Sequence, residues 1–377
     1  MIRQLSFLTL AILIFISCRG QESKALIQNT PDTDSQSTKY EAAIAQSTQL
    51  TEKTIKKYNL PGVAVAVSVK GEMVWAKGFG YSNIEDTIAI DPYLSKFRIG
   101  SISKPFTATA LGQLYEQKKL DFDAPVQDYV DYFPKKKYPL TVRQVAGHIG
   151  GIRHYKGDEF LSNKFYGSVK ESLGIFQDDP LLFEPGSKYS YSSYGWNLIS
   201  AVVEGASGEP FLPYMEQHVF KPLKMENTCA DMAKEAVPNR VSFYELSGNE
   251  IELAPQVDNS YKWAGGGFLS SAGDVVLFGN AYLEKSILTA AGIEPLWTPL
   301  QTNDGKSTNY GIGWSRSEDK KGRKWVGHSG GSVGGTSMLI LYPEAEMVVV
   351  VLCNLSSAKM DQLPFRIAEQ FLMSSQR

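Results

Sequence analysis

The chain has 377 residues, 43% of them apolar and 21% charged, an ordinary globular balance with ample material for a core in one large domain or two. Its formal net charge of −2 gives no electrostatic case for a nucleic-acid partner. The three cysteines and four histidines are scattered, with no C-x-x-C or H-E-x-x-H spacing, so the pattern calls for no metal or other cofactor.

Arg3 precedes an apolar run from Leu5 to Ile16. A run of about a dozen residues is too short to span a bilayer as a helix and suits the core of a signal peptide. Ser17 and Cys18 follow directly, a small residue and then a cysteine, which resembles a bacterial lipoprotein cleavage site, although Phe15 stands where such sites usually carry leucine. The expectation is a signal peptide over 1–17, lipidation of Cys18, and an exported, periplasmic protein held on a membrane by that N-terminal anchor; the alternative is a plain signal peptide with a coincidental cysteine. Residues 18–38 follow as a flexible tether; from Gln21 they are rich in Gln, Ser, Thr and Asp. With Cys18 set aside, Cys229 and Cys353 read either as a disulfide in an oxidising compartment or as two small buried hydrophobes.

Residues 40–58 read as a helix with Ile44, Leu50 and Ile55 on its apolar side, ended by Leu60-Pro61-Gly62. Residues 63–69 are β-branched and nearly continuous, which predicts a strand buried on both faces. Lys70-Gly71 makes a tight turn into a return strand over 72–80. After a loop comes Arg98-Ile-Gly-Ser-Ile-Ser-Lys-Pro-Phe-Thr107. Phe106, Ala110 and Leu114 recur at helical spacing, with Leu111 and Tyr115 widening the stripe, and Pro105 falls in the first turn, where a missing N–H costs least.

Ser101 and Lys104 are three apart, so on a helix they share one face, about 5–6 Å apart at Cβ, and point into one cavity. A serine hydroxyl is a poor nucleophile until a base takes its proton. A lysine can be that base only when burial or the positive end of a helix lowers its pKa. Alone, S-x-x-K recurs by chance in a chain of this length, and the rest of the sequence has to support it.

From about 120 to 253 strand-like runs vanish, and helical segments at 141–146, 169–176, 196–204 and 210–219 alternate with Pro- and Gly-containing loops. Tyr191 lies in the aromatic stretch 189–196. A tyrosine held near a lysine can lose part of its pKa and pass protons to and from the serine oxygen; the alternative is aromatic packing. His148 reads as a brace of the cleft wall and His154 as part of its rim. The run 263–267 is either a loop beside the site or backbone packing.

Beyond this region 310–315 and 324–327 read as short strands, 336–342 and 346–354 as a hairpin, and 362–373 as a final helix. The glycines of Gly327-His-Ser-Gly-Gly-Ser332 let backbone approach a ligand closely, and an N–H there could join that of Ser101 in holding an oxyanion; otherwise they form a turn. The predicted fold class is α+β: one antiparallel sheet built from both ends of the chain, flanked by N- and C-terminal helices, with a mostly helical subdomain inserted over about 120–253. Ser101 falls at the junction, where clefts form.

In that order, Ser101-x-x-Lys104, then Tyr191, then His328-Ser-Gly330, the motifs resemble the serine β-lactamase-like superfamily of class C β-lactamases, D-alanyl-D-alanine peptidases and related esterases. The resemblance covers about 40 to the C-terminus. The runs 151–155 and 257–268 are similar to its mitochondrial branch of filament-forming peptidases. The resemblance implies a β-lactamase/transpeptidase-like catalytic domain over 39–377 that takes a small peptide, amide or ester substrate through an acyl-enzyme, without a cofactor. It implies Ser101 as nucleophile, Lys104 as its base and Tyr191 as acid/base partner. His328, Ser329 and Gly330 would stand for the family's lysine-threonine-glycine triplet, and Gly331 would supply the second oxyanion N–H.

Two departures qualify it. Ser193 stands where the family often has a substrate-binding asparagine. His328 replaces a lysine whose fixed charge holds a substrate carboxylate, and a histidine is mostly neutral at pH 7. Weak or no β-lactamase activity is therefore expected, with peptide or ester substrates favoured. The competing reading is a non-catalytic scaffold or sensor assembling into homo-oligomers or filaments, although retention of Ser101, Lys104 and Tyr191 together speaks against a decayed site.

Overall fold

The computed structural model describes residues 33–375, so the signal-peptide and Cys18 expectations lie outside the described residues. α1 (Thr33–Tyr58) begins earlier than the apolar pattern announces, which makes 33–38 helix rather than tether. β1 (Gly62–Val69) is buried along its whole length. Lys70 and Gly71 turn with φ of 54° and 81°, the left-handed pair that a tight hairpin favours, into β2 (Glu72–Asn83). β3 (Ile88–Ala89) edges the sheet. β4 (Phe97–Arg98) then leads through a 3₁₀ turn at Gly100–Ile102 into α2 (Ser103–Glu116).

The middle of the chain is carried by short capped helices. α3 (Val142–Ala146) starts with a reciprocal capping box between Thr141 and Gln144, and α4 (Val169–Leu173) is capped by Ser168. α5 (Ser193–Ser207) is capped by Ser192 and stopped by Gly208 at φ 78°. α6 (Phe211–Tyr214) continues as a π-helical segment to Phe220. Strands are not absent here, contrary to the sequence reading: β5 (Cys229–Ala230) is followed by the hairpin of β6 (Tyr244–Ser247) and β7 (Glu250–Leu253). Most of that hairpin's side chains face water, so it is made by backbone pairing around Gly248 and left no hydropathy pattern to read.

α7 (Trp263–Gly266), β8 (Phe268–Ser270), α8 (Ala272–Leu283) and α9 (Ala290–Trp297) return the chain to the main sheet. It ends with β9 (Ser315–Glu318), β10 (Lys324–Ser332), β11 (Gly335–Tyr342), β12 (Met347–Cys353) and α10 (Leu363–Ser375). The strand expected at 310–315 is only a bridge from Tyr310 to Ser315, because Gly313 at φ 78° turns the backbone out of an extended path. Conversely, β10 runs on through the glycines to Ser332, where a turn was the alternative.

The main sheet has seven strands in the order β3-β2-β1-β12-β11-β10-β9, all antiparallel, so strands from both ends of the chain meet at β1 and β12. Period-two alternation divides β1 between two cores. Val63, Val65, Val67 and Val69 pack with Tyr40 of α1 and Phe371 of α10. Ala64 and Ala66 face the other way with Phe106, Trp196 and Phe278 of the helical layer. Burying each valine contributes about 1.5–3 kcal/mol. The small alanines leave room for α8, whose Asn280 accepts a 2.6 Å hydrogen bond from Ser68.

Cys229 and Cys353 are both free thiols and sit in different sheets, so the disulfide alternative falls. Among the described residues no helix is long and apolar enough to cross a membrane.

Candidate active site

The site begins with two glycines. Gly100 has φ 49°, and a Cβ placed on it would lie 2.6 Å from the carbonyl oxygen of Gly331 and 2.8 Å from its nitrogen. A Cβ on Gly330 would collide with the carbonyl of Ile99, which itself accepts a 2.7 Å hydrogen bond from Ser337 Oγ of β11. Only glycine at these positions lets the Ser101 turn lie directly on β10. The main chain of Gly331 is thereby brought beside the residue preceding Ser101, with open space on its other side.

Ser101 and Lys104 are in contact, but only Ser101 lines the cavity; Lys104 lies behind it rather than pointing into it. Lys104 is fully buried, and its Nζ lies 3.0 Å from Ser101 Oγ, 2.5 Å from the Gly265 carbonyl oxygen and 3.4 Å from Ser193 Oγ. Burial, with the charge of Lys262 next, holds this amine well below the usual lysine range. When the amine is neutral, Gly265 and Ser193 take its two N–H groups and the lone pair faces the Ser101 hydroxyl.

Tyr191 donates a 2.8 Å hydrogen bond to Ser101 Oγ. The expectation that this phenol loses part of its pKa is corrected: burial pushes it up, so it stays protonated. The physical reason is that a neutral Lys104, its Nζ 4.8 Å from the ring centre, offers no charge to stabilise a phenolate. The loop carrying Tyr191 is pinned from below. His148 Nδ1 accepts from the Ser192 N–H and His154 Nδ1 from the Ser193 N–H, both at 3.1 Å, while Ser192 Oγ donates to the Arg153 carbonyl at 2.7 Å. The buried His148 ring also lies 4.2 Å from the Tyr191 ring, which fits the bracing role read from the sequence.

His328 is buried on β10 and uncharged: burial, then Lys104, pulls it down to about 3. Its Nδ1 lies 2.5 Å from the Ser329 carbonyl, which can only accept, so the proton is on Nδ1 and Nε2 accepts from Tyr310 Oη at 2.9 Å. Ser329 and Gly331 face the cavity, whereas Gly330 is buried against Ile99 and does not line it. Gly330 was read as a substrate contact; the structure makes it a packing residue, because the Ile99 carbonyl and Ser337 Oγ crowd its Cα.

The cavity has a volume of about 560 Å³ and is lined by Ser101, Tyr191, Ser193, Lys262, His328, Ser329 and Gly331, with Tyr155, Phe160, Tyr189 and Tyr310 as aromatic walls. Gly265 lies in the run read as a loop beside the site or as backbone packing, and it lines the cavity. Lys262 lay within the 257–268 run and Tyr310 in an expected strand, but no role at the site was assigned to either, because both reach it only through folding.

The family model described as Beta-lactamase matches residues 45–370. The chain is 32% identical to "Serine beta-lactamase-like protein LACTB, mitochondrial" of Homo sapiens, over 87% of this chain and 80% of that protein. It is 28% identical to a D-aminopeptidase of Gluconobacter oxydans (strain 621H), over 79% of this chain and 56% of that one. Among solved structures, the octameric penicillin-binding protein homologue from Pyrococcus abyssi superposes with a TM-score of 0.77 at 27% identity, over 88% of this chain and 77% of that chain. These relatives correct the location expected from the first residues: the 31–32% identical proteins of three mammals are mitochondrial, not periplasmic lipoproteins.

Proposed function

The chain belongs to the beta-lactamase family of serine hydrolases, and on that premise we propose that residues 39–377 turn over a small peptide, amide or ester through an acyl-enzyme on Ser101. The observation that carries this reading is the placing of Ser101 Oγ between the uncharged Lys104 Nζ at 3.0 Å and the protonated Tyr191 Oη at 2.8 Å. Lys104 takes the hydroxyl proton as Ser101 Oγ attacks the carbonyl carbon. The N–H groups of Ser101 and Gly331 receive the oxyanion, each worth about 10²–10³ in kcat. As the intermediate collapses, Tyr191 gives its proton to the leaving group and recovers one from Lys104, which returns to its neutral state. Water then attacks the ester, Lys104 and Tyr191 relaying its proton back to Ser101 Oγ.

Ser193 holds Lys104 rather than presenting an amide to substrate, and the neutral His328 offers no fixed charge to a β-lactam carboxylate. Peptides and esters are therefore preferred to β-lactams, and the D-aminopeptidase relative supports amide hydrolysis. A fluorophosphonate probe tests the reading. An adduct on Ser101 by peptide mass spectrometry, absent in Ser101→Ala, supports it; folded protein without an adduct supports the scaffold. Self-association is a second proposal, favoured by the octameric structural relative and checked by light scattering.

A further inference from the structure

Lys262 stands apart from the catalytic trio. It is 2% exposed, yet it lines the cavity that holds Ser101. Its Nζ makes no hydrogen bond or ion pair with a described residue. It lies 4.3 Å from the ring centre of Phe160, 5.3 Å from that of Tyr261 and 5.7 Å from that of Tyr155. The carboxylate with most influence on it, Asp231, is already held at 2.6 Å by both Arg98 Nε and Asn259 Nδ2. Arg98 adds a second positive charge to its surroundings.

A lysine buried without a counter-ion is an expensive arrangement. Replacing it with an apolar side chain would stabilise the wall of a purely structural pocket. Here the tip instead faces a cavity open to ligand, at the place where an incoming anion would supply the missing partner. The neutral His328 leaves the cavity without a cation on β10, and Lys262 brings one from the segment before α7.

We propose that Lys262 anchors a carboxylate on the acyl portion of the substrate, so that the cavity selects acyl donors whose acyl chain carries a negative charge; this rests on the reading of Ser101 as the acylated residue. Burial, then Arg98, pulls Lys262 down to about 7, so the empty site is only partly charged near neutrality and a bound carboxylate would complete its protonation. The aromatic walls of Tyr155 and Phe160 exclude water from that contact, which strengthens it.

The test compares two esters of matched chain length, 4-nitrophenyl hydrogen adipate and 4-nitrophenyl hexanoate, at pH 6.5. Nitrophenolate release is corrected by Ser101→Ala, and the acyl adduct is located by mass spectrometry. The readout is the ratio of kcat/KM for the anionic ester to that for the neutral one. Lys262→Met also alters Lys104, which affects both esters alike, so the ratio isolates the carboxylate contact. Loss of one charge-assisted hydrogen bond lowers that ratio by about tenfold or more in Lys262→Met, with Lys262→Arg retaining most of it. Lys262→Gln serves as a second neutral variant should Met perturb folding.

A smaller fall with Ser101 still acylated overturns the carboxylate site and leaves the hydrolase reading intact. Absence of release and of any Ser101 adduct with either ester sinks the hydrolase reading, and the carboxylate site with it.

Discussion

Tyr310 Oη donates a 2.9 Å hydrogen bond to Nε2 of His328, and this fixes His328 as a neutral imidazole whose only proton is committed to the Ser329 carbonyl. A group in that state cannot hold by charge the carboxylate that a β-lactam carries on its leaving-amine side, and Lys262, proposed to read the acyl side, does not replace it. Purified protein is therefore expected to turn over nitrocefin poorly at pH 7, far more slowly than it acylates Ser101 with an activated ester. Efficient nitrocefin hydrolysis would contradict this account of His328.

The base must be uncharged to accept a proton, so kcat/KM rises with pH through the pKa of Lys104. Because burial and Lys262 hold that pKa well below the usual lysine range, the rise comes at a lower pH than an ordinary lysine would give. Lys262→Met removes one of the two causes, and the ascending limb should move to higher pH. A pH–rate profile that stays put in the variant would show that Lys262 does not act on Lys104.

Proton linkage sets the companion prediction for stability. The Lys104 pKa is lowered in the folded state, so between its folded and unfolded values the unfolded chain binds the extra proton. Folding stability is then lost as pH falls through that window, by at most about 1.4 kcal/mol per pH unit. In Lys104→Met this contribution disappears. Thermal melts taken as pH is lowered from the ordinary lysine range should show the variant gaining on the wild type, while its acylation of Ser101 is abolished.

Tyr191→Phe removes the phenol that donates to Ser101 Oγ and keeps the ring against His148. Loss of a positioned acid/base lowers kcat by about 10²–10⁴. Stability should change little, because the lost partner is a half-buried serine hydroxyl. Parallel kinetics and urea titrations check both halves; a variant with near-normal kcat would remove Tyr191 from the chemistry.

Gly100→Ala forces a Cβ onto the Gly331 backbone at a φ of 49°. Strain at a left-handed residue alone costs about 1–3 kcal/mol, and the turn can relieve the contact only by lifting off β10. The expected result is a lowered urea midpoint together with a larger drop in fluorophosphonate labelling of Ser101. Wild-type labelling in Gly100→Ala would show that the close approach to Gly331 is not needed.

Local periodicity made much of this protein legible. The valine runs that pair as β1 and β12, the apolar stripe of α2 and the three-residue spacing of Ser101 and Lys104 each lie within one element, where chain geometry alone decides which side chains share a face. Motif order pointed to Tyr191, 90 residues beyond Ser101, and to His328 farther on, but it carried their identities and not their states. The phenol was expected to lose its proton more easily, and it is held protonated. Gly330 was expected in the cavity, and it packs on Ile99. Lys262 and Tyr310 lay within runs already noted, 257–268 and 310–315, but neither was assigned a role at the site. Each of these depends on burial and on which charges lie nearby. Those are properties of contacts between residues far apart in sequence, which only tertiary structure brings together.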